Sequence, residues 1–194
     1  MRIALYGGSF NPPHLSHQLA CAVALAASRP QIDEVWAVPT FRHAFGKQLA
    51  PYADRHAMCV AAMAVFGGRV LVSRIEEELG GPSYTLRTVQ ALRARHPEHE
   101  FSLVVGADLL AERPRWHEWS ELAATTSFTV IGRVGSGADA QAAGARDHHV
   151  GIDLPALSST EVRRRLAAGE STTGLLDEAV LAYIRSAALY GVRP

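Results

Sequence analysis

The chain has 194 residues, 48% of them hydrophobic and 20% charged, which is the balance of a globular protein with a sizeable core. Lysine plus arginine equals aspartate plus glutamate at 19 each, so no global positive field would recruit nucleic acid or an anionic membrane, and any anion site has to be built from placed residues. The two cysteines, Cys21 and Cys59, are too few for a disulfide framework; with no membrane-length apolar run and no signal peptide before the first strand, a cytoplasmic protein is expected.

Short apolar runs alternate with helical patterns along the chain. Ile3-Ala4-Leu5-Tyr6 reads as a first strand, and Leu15, Leu19, Val23 and Ala26 mark one face of the helix that follows. Glu34 to Val38 is a second strand ended by Pro39. Residues 40–50 are irregular, and Pro51 to Phe66 shows helical periodicity in Cys59, Val60 and Met63. Val70 to Val72 is a third strand, and Leu86, Val89 and Leu92 give the next helix its stripe. Phe101 to Val105 and Phe128 to Ile131 are a fourth and fifth strand. Val134 to Ala145, rich in Gly and Ala, reads as a mobile loop before a sixth strand at His149 to Ile152. Leu176, Val180, Ile184 and Ala187 mark a closing helix. The alternation predicts an α/β chain: a Rossmann-like, doubly wound parallel sheet with helices on both faces, in one domain over residues 1–194. Ligands of such sheets sit at the carboxyl ends of the strands, near a switch in strand order.

The turn Gly7-Gly8-Ser9-Phe10-Asn11-Pro12-Pro13-His14-Leu15-Ser16-His17 stands at such an end. Its two glycines let backbone approach a ligand, and Pro12-Pro13 are expected to start the helix, where missing N–H groups cost nothing. The free N–H groups of that helix would favour an anion, and His14 and His17, three apart in a first turn, would share a face. The combination suits a phosphate site. A metal site on H-x-x-H would need further ligands, and no other His or Cys pair is read as having ligand-like spacing.

Three later stretches carry chemistry of their own. In Leu157-Ser158-Ser159-Thr160-Glu161-Val162-Arg163-Arg164-Arg165, Ser158 and Glu161 have capping-box spacing, so a helix is expected to begin at Ser158. Three arginines in its early turns oppose the helix dipole, unless an anion binds there. For Arg164 and Arg165 a solvated face is an equal reading. Gly81-Pro82-Ser83-Tyr84-Thr85 is a turn into a helix, with Ser83 a candidate N-cap. Gly106 ends a strand, Asp108 suits either a ribose hydroxyl or a helix cap, and Trp116 and Trp119 lie three apart, one or both available for the core.

G-G-S-F-N-P-P-H-x-x-H resembles the (H/T)-x-G-H signature of the nucleotidyltransferase superfamily, in the Ser-Phe-Asn-Pro-Pro form of bacterial nicotinate-nucleotide adenylyltransferases. S-S-T-x-x-R, ending at Arg163, is similar to the second signature of that superfamily, and G-P-S-Y-T to a strip that holds the mononucleotide. The resemblance implies transfer of the adenylyl group of ATP to nicotinate mononucleotide. It implies ATP contacts at Gly7, Gly8, Ser9, Phe10, His14, His17, Gly106, Asp108, Ser158, Ser159, Thr160 and Arg163, with His14, His17 and Arg163 catalytic and residues 158–194 completing the ATP site. For the mononucleotide it implies Asn11, Lys47, Ser83, Tyr84, Thr85, Trp116 and His117, with Trp116 stacked on the pyridine. Mg²⁺ is expected to ride on the phosphates without a metal cage, nucleic acid and membrane are not expected as partners, and room is left for a homo-oligomer.

Four positions depart from the family pattern. Ser16 stands for its glycine, Gly46 for the histidine before Lys47, Arg87 for an acidic residue and Asp177 for a proline. Rival readings are an adenylyltransferase for nicotinamide mononucleotide or phosphopantetheine, a non-catalytic nucleotide sensor, and a metal-dependent hydrolase that uses the histidines.

Overall fold

Along the first strand, Ile3 and Leu5 face one apolar layer and Ala4 the other, the period-two alternation of a strand buried on both faces. In a computed structural model, which describes residues 1–110, 113–135 and 148–192, this strand (β1, Arg2–Gly8) lies in a six-stranded sheet. The others are β2 (Glu34–Pro39), β3 (Val70–Val72), β4 (Glu100–Gly106), β5 (Phe128–Arg133) and β6 (His148–Leu154). Their order is β3-β2-β1-β4-β5-β6, with every pair parallel. The strand order reverses between β1 and β4, so the crevice at their carboxyl ends is the expected place for a ligand.

Helices α1 (Leu15–Ala27) and α2 (Tyr52–Met63) cover one face of the sheet through Ala20, Cys21, Ala24, Cys59 and Met63. Helices α3 (Ile75–Leu79), α4 (Thr85–Arg95) and α6 (Trp119–Thr125) cover the other through Ile75, Leu86, Val89, Leu92 and Leu122. Between the last two lies α5 (Ala107–Leu110), a single turn after β4. Helix α2 is apolar on a second side as well. Its Met58 and Ala62 pack on Val162 and Leu166 of α7 (Ser159–Ala168) and on Val180 and Ile184 of α8 (Glu178–Ser186). That third cluster fastens the C-terminal helices to the sheet layer.

The strands and long helices fall where the patterns predict them. The short helices α3, α5 and α6 are additions, because five, four and seven residues are too few to display a period. The closing helix starts at Glu178, after Leu176, because Asp177 is its N-cap and accepts the Ala179 N–H at 2.9 Å. That bond explains the departure at Asp177, since a proline has no side chain able to accept it. The expected loop over 134–145 lies outside the described residues, apart from a turn at Val134 and Gly135. Both cysteines are free and buried in α1 and α2.

Candidate active site

At the switch point a cleft of about 150 Å³ opens among Gly7 and Gly8 of β1, Ser16 and His17 of α1, Gly106 at the end of β4, Asp108 of α5, and Arg133 at the end of β5. A Cβ at Gly106 would meet Asp108 Oδ1 at 2.4 Å, so a larger residue at this strand end would have to displace the Asp108 carboxylate. Asp108 neither caps a helix nor stands free: Arg133 Nη1 donates to its Oδ2 at 2.7 Å. Arg133 is a cation of this cleft that the sequence reading passed over.

The two histidines are set by the start of α1. Contrary to the expectation from their missing N–H groups, the prolines do not open the helix; His14 is the N-cap, in extended conformation, and Leu15 is the first helical residue. The anion site expected at this helix end is correspondingly reduced. The Leu15 N–H donates to the Leu175 carbonyl at 2.9 Å and the His17 N–H to the His14 carbonyl at 2.8 Å. Instead, the end presents side chains. The His14 N–H donates to His17 Nδ1 at 3.0 Å, which fixes the tautomer: Nδ1 is the acceptor, and the ring proton sits on Nε2. The imidazoles are in contact but tilted, 3.8 Å between centroids and 38° between planes.

His14 is 3% exposed, and burial, with Arg133 adding to it, pushes its pKa down to about 4. Burial, then the neighbouring His14 and Arg133, holds His17 well below 6.5. Both rings are therefore neutral at pH 7. The His14 Nδ1 atom is buried with no partner among the described residues.

Phe10 takes a left-handed backbone conformation (φ 44°) and is 1% exposed, its ring against Tyr6 and His17. Only its backbone is left to meet a ligand. Ser16, where the family has glycine, turns its hydroxyl away to the Pro155 carbonyl at 3.0 Å, so the added side chain is absorbed by packing.

The second signature closes on the first. Ser158 caps α7 as expected, accepting the Glu161 N–H at 3.2 Å. Ser159 Oγ donates to the Pro12 carbonyl at 2.9 Å, and Arg163 Nη1 donates to the Asn11 carbonyl at 2.7 Å while Nη2 reaches Thr160 Oγ1 at 3.3 Å. Arg163 thus sits on the turn that carries the histidines. Its neighbours do otherwise. Arg164 is held by Glu161 and Glu170, and Arg165 by Glu161, so both are satisfied surface ion pairs.

The residues expected at the mononucleotide end are gathered by contacts between three loops. The Phe41 N–H donates to Ser83 Oγ (3.0 Å) and Glu76 Oε2 (3.1 Å), and the Ser83 N–H donates to the Arg42 carbonyl at 2.9 Å. The Tyr84 and His117 rings stack at 4.3 Å, and the Arg115 guanidinium lies over Phe45 at 4.5 Å. Ser83 is not the cap of α4; Tyr84 holds that position, with Thr85 the first helical residue. Trp116 packs edge to face on Trp119 at 5.7 Å, and Trp119 in turn on Phe128; both indoles are partly buried and lie against the sheet core. Lys47 is exposed in a groove with Arg42, His43 and Gly46. Arg87, in place of the family's acidic residue, donates to the Gly80 and Leu79 carbonyls at 2.8 and 2.7 Å and closes the end of α3.

Sequence reasoning missed three residues that hold these parts together. Arg55, 1% exposed, donates to the carbonyls of Ala50 and Ser9 at 2.9 Å each and lies over the Tyr52 ring. The signal was there: Arg55 stands in the register of Met58, Cys59 and Ala62, a cation on an apolar stripe. Glu76, whose pKa burial raises, ties Phe41 to Ser83 and Thr88. Tyr190, after the closing helix, donates to Asn11 Oδ1 at 2.8 Å. The Ala50 N–H donates to the same oxygen, so this acceptor of Asn11 is already doubly engaged.

A Gly-rich turn bearing two imidazoles, at the switch point of a doubly wound sheet and closed by an arginine from a late helix, defines the nucleotidyltransferase class. The cytidylyltransferase-like family model matches residues 5–165, and this chain belongs to that family, within its nicotinate-nucleotide adenylyltransferases. A protein of Anaeromyxobacter sp. (strain K) named "probable nicotinate-nucleotide adenylyltransferase" is 47% identical, covering 97% of this chain and 96% of its own length. A Myxococcus xanthus protein of the same name is 37% identical over 100% and 96%. Plasmodium falciparum nicotinic acid mononucleotide adenylyltransferase, solved in complex with NaAD, superposes with a TM-score of 0.85 at 21% identity, over 99% of this chain and 98% of its own, which supports the fold.

Proposed function

We propose that this chain transfers the adenylyl group of ATP to nicotinate mononucleotide, giving nicotinate adenine dinucleotide and pyrophosphate, as its relatives' names describe for them. The observation that carries the reading is the Arg163 bond to the Asn11 carbonyl, which brings the late cation onto the histidine turn. The attacking group is a phosphate, already anionic, so no activated side-chain nucleophile is needed. The chain's task is to hold two anions in line and to neutralise charge at the transferring phosphorus.

His17 donates from Nε2 to the α-phosphate, a role supported by its fixed tautomer. His14 stands behind it with an unpartnered buried nitrogen. Arg163 and the first turn of α7, where N–H groups lack intrahelical partners, take the leaving pyrophosphate. In this reading residues 158–194 complete the ATP site. The cleft is smaller than the ~300–1,000 Å³ of a site enclosing a whole ligand. It takes one portion of ATP, with Gly7, Gly8, Gly106 and Asp108 around it. The pyridine stacks on Trp116, whose indole face suits a positively charged ring. Tyr84, Thr85 and His117 frame its carboxylate, and Lys47, Asn11 and Ser83 lie toward its phosphate.

Mg²⁺ would lower the charge on the triphosphate. The site suits an ion carried on phosphate oxygens, because its carboxylate, Asp108, is already paired with Arg133. The reading needs neither nucleic acid nor membrane, and it assigns the enzyme to the cytoplasm; among the described residues no helix is long and apolar enough to cross a membrane.

Pyrophosphate release from Mg-ATP, followed with nicotinate or nicotinamide mononucleotide as acceptor, tests it. Release that depends on the acceptor and favours the acid is expected. Release with neither, or with the amide alone, overturns the assignment.

A further inference from the structure

The expectation that no other histidine pair has ligand-like spacing is wrong. His96-Pro97-Glu98-His99 repeats H-x-x-H between the end of α4 and the start of β4. We propose that His96, Glu98 and His99 bind a divalent transition-metal ion of the zinc class, at the end of the sheet opposite the nucleotide cleft.

One ligand atom from each residue lies within 4.8 Å of the others. Glu98 Oε1 is 3.8 Å from His96 Nδ1 and 3.4 Å from His99 Nε2. Ligands about 2.0–2.1 Å from a tetrahedral ion stand roughly 3.3 Å apart, so small side-chain shifts close this set onto a metal. The frame is already built. The His99 N–H donates to the His96 carbonyl at 3.0 Å, and the two imidazoles are parallel within 4° at 5.6 Å. Trp36 stands edge-on against both, at 5.4 and 6.4 Å. The other nitrogen of His99, Nδ1, is buried without a partner among the described residues, so Nε2 is the atom this ring offers. Glu98 is exposed, which leaves the outer side open to water as a further ligand. Two imidazoles and one carboxylate suit Zn²⁺, Co²⁺, Ni²⁺ or Cu²⁺ and not the oxygen-only shell of Mg²⁺.

Bound there, the ion would tie the last turn of α4 to the first residues of β4, without touching the transfer chemistry. It would also change how a metal assay is read. Zinc found in the purified protein would be assigned to this second pair and would not by itself argue for a hydrolase that uses His14 and His17.

Equilibrium dialysis of the metal-stripped full chain against zinc chloride should retain about one ion per chain. Cu²⁺ should quench tryptophan fluorescence through Trp36, and Trp36→Phe should remove that quenching. His96→Gln with His99→Gln should abolish zinc retention and quenching while leaving adenylyl transfer at the unsubstituted rate. If the double variant fails to fold, Glu98→Gln reads the same site, with zinc affinity expected to fall at least about tenfold. Absence of retained zinc in the unsubstituted chain overturns the proposal. So does zinc binding that is unchanged in the double variant or in Glu98→Gln.

Discussion

The phosphate end of the proposed site and its pyridine end are fixed by different means. At the phosphate end, one turn and one helix meet through backbone carbonyls: Asn11 and Pro12 receive Arg163 and Ser159, and Ser9 receives Arg55. The acceptors are main-chain atoms of a short stretch anchored to a central strand, so the geometry is set before any ligand arrives. At the pyridine end, three loops are held to one another by side chains: Ser83 and Glu76 on Phe41, Tyr84 on His117, Arg115 on Phe45. The contrast is one of preorganisation, which favours charge stabilisation at the first end and leaves acceptor binding to the second.

Breaking the phosphate end should cost the most. His17→Ala is expected to lose on the order of 3 kcal/mol or more of transition-state stabilisation, the effect of removing a preorganised donor. The loss should appear mainly in kcat for pyrophosphate release, with the fold intact by circular dichroism. Near-normal turnover in a folded His17→Ala protein would remove the role.

The neutral state of the histidines has a stability signature of comparable size. With its folded pKa lowered from 6.5 to about 4, His14 binds fewer protons in the folded than in the unfolded chain. Its contribution is complete above pH 6.5 and is lost as pH falls toward 4, about 3 kcal/mol in all. His17 acts in the same direction. Urea unfolding at pH 7 and pH 4.5 should show this loss in the unsubstituted chain, and a smaller one in His14→Gln.

How much of each end was legible follows the same division. The phosphate end is written in two short contiguous motifs, so the His14 and His17 pair and the Ser158 cap could be read from spacing and Arg163 from the resemblance, and Arg163 does meet the histidine-bearing turn at the Asn11 carbonyl. What spacing could not give is direction. The prolines precede the helix instead of starting it, and Ser16 spends its hydroxyl on Pro155. Arg55, which joins the two ends, and Glu76, which organises the pyridine end, come from helices that the motifs do not include. They act across 46 and 35 residues of sequence on Ser9 and Phe41. Pairings of that range leave no periodic trace, apart from the odd cation on the α2 stripe. Arg133 was missed for a similar reason, since it pairs with Asp108 only because β4 and β5 are neighbours.

Arg55 is the joint between the two ends, and its loss should loosen both. Arg55→Met leaves buried carbonyls without donors and is expected to cost about 2–3 kcal/mol of stability, read as a lower urea midpoint. Arg163→Gln takes the donor from the Asn11 carbonyl, which should cost about 1 kcal/mol of stability, and should lower kcat/KM for ATP by about ten- to a hundredfold, the worth of a hydrogen bond to a charged group. Arg164→Gln is the control within the same helix turn. Its guanidinium is committed to Glu161 and Glu170, so KM for ATP should stay put.

Trp116 should show the smallest change and the most specific one. Its ring leans on Trp119 at the margin of the sheet core and is only partly buried, so Trp116→Leu, which keeps an apolar side chain there, should fold and keep the phosphate end intact. If the pyridine stacks there, KM for nicotinate mononucleotide should rise about five- to thirtyfold, equivalent to about 1–2 kcal/mol, with KM for ATP unchanged. A fall in kcat with both KM values steady would mean that the ring supports the loops and does not meet the substrate. Because the effect depends on the charge of the pyridine, a neutral ring analogue of the acceptor should bind the unsubstituted chain and Trp116→Leu with more similar affinity than the charged acceptor does. That convergence is what separates stacking on a cation from simple loss of apolar contact, since lost packing would weaken both acceptors equally.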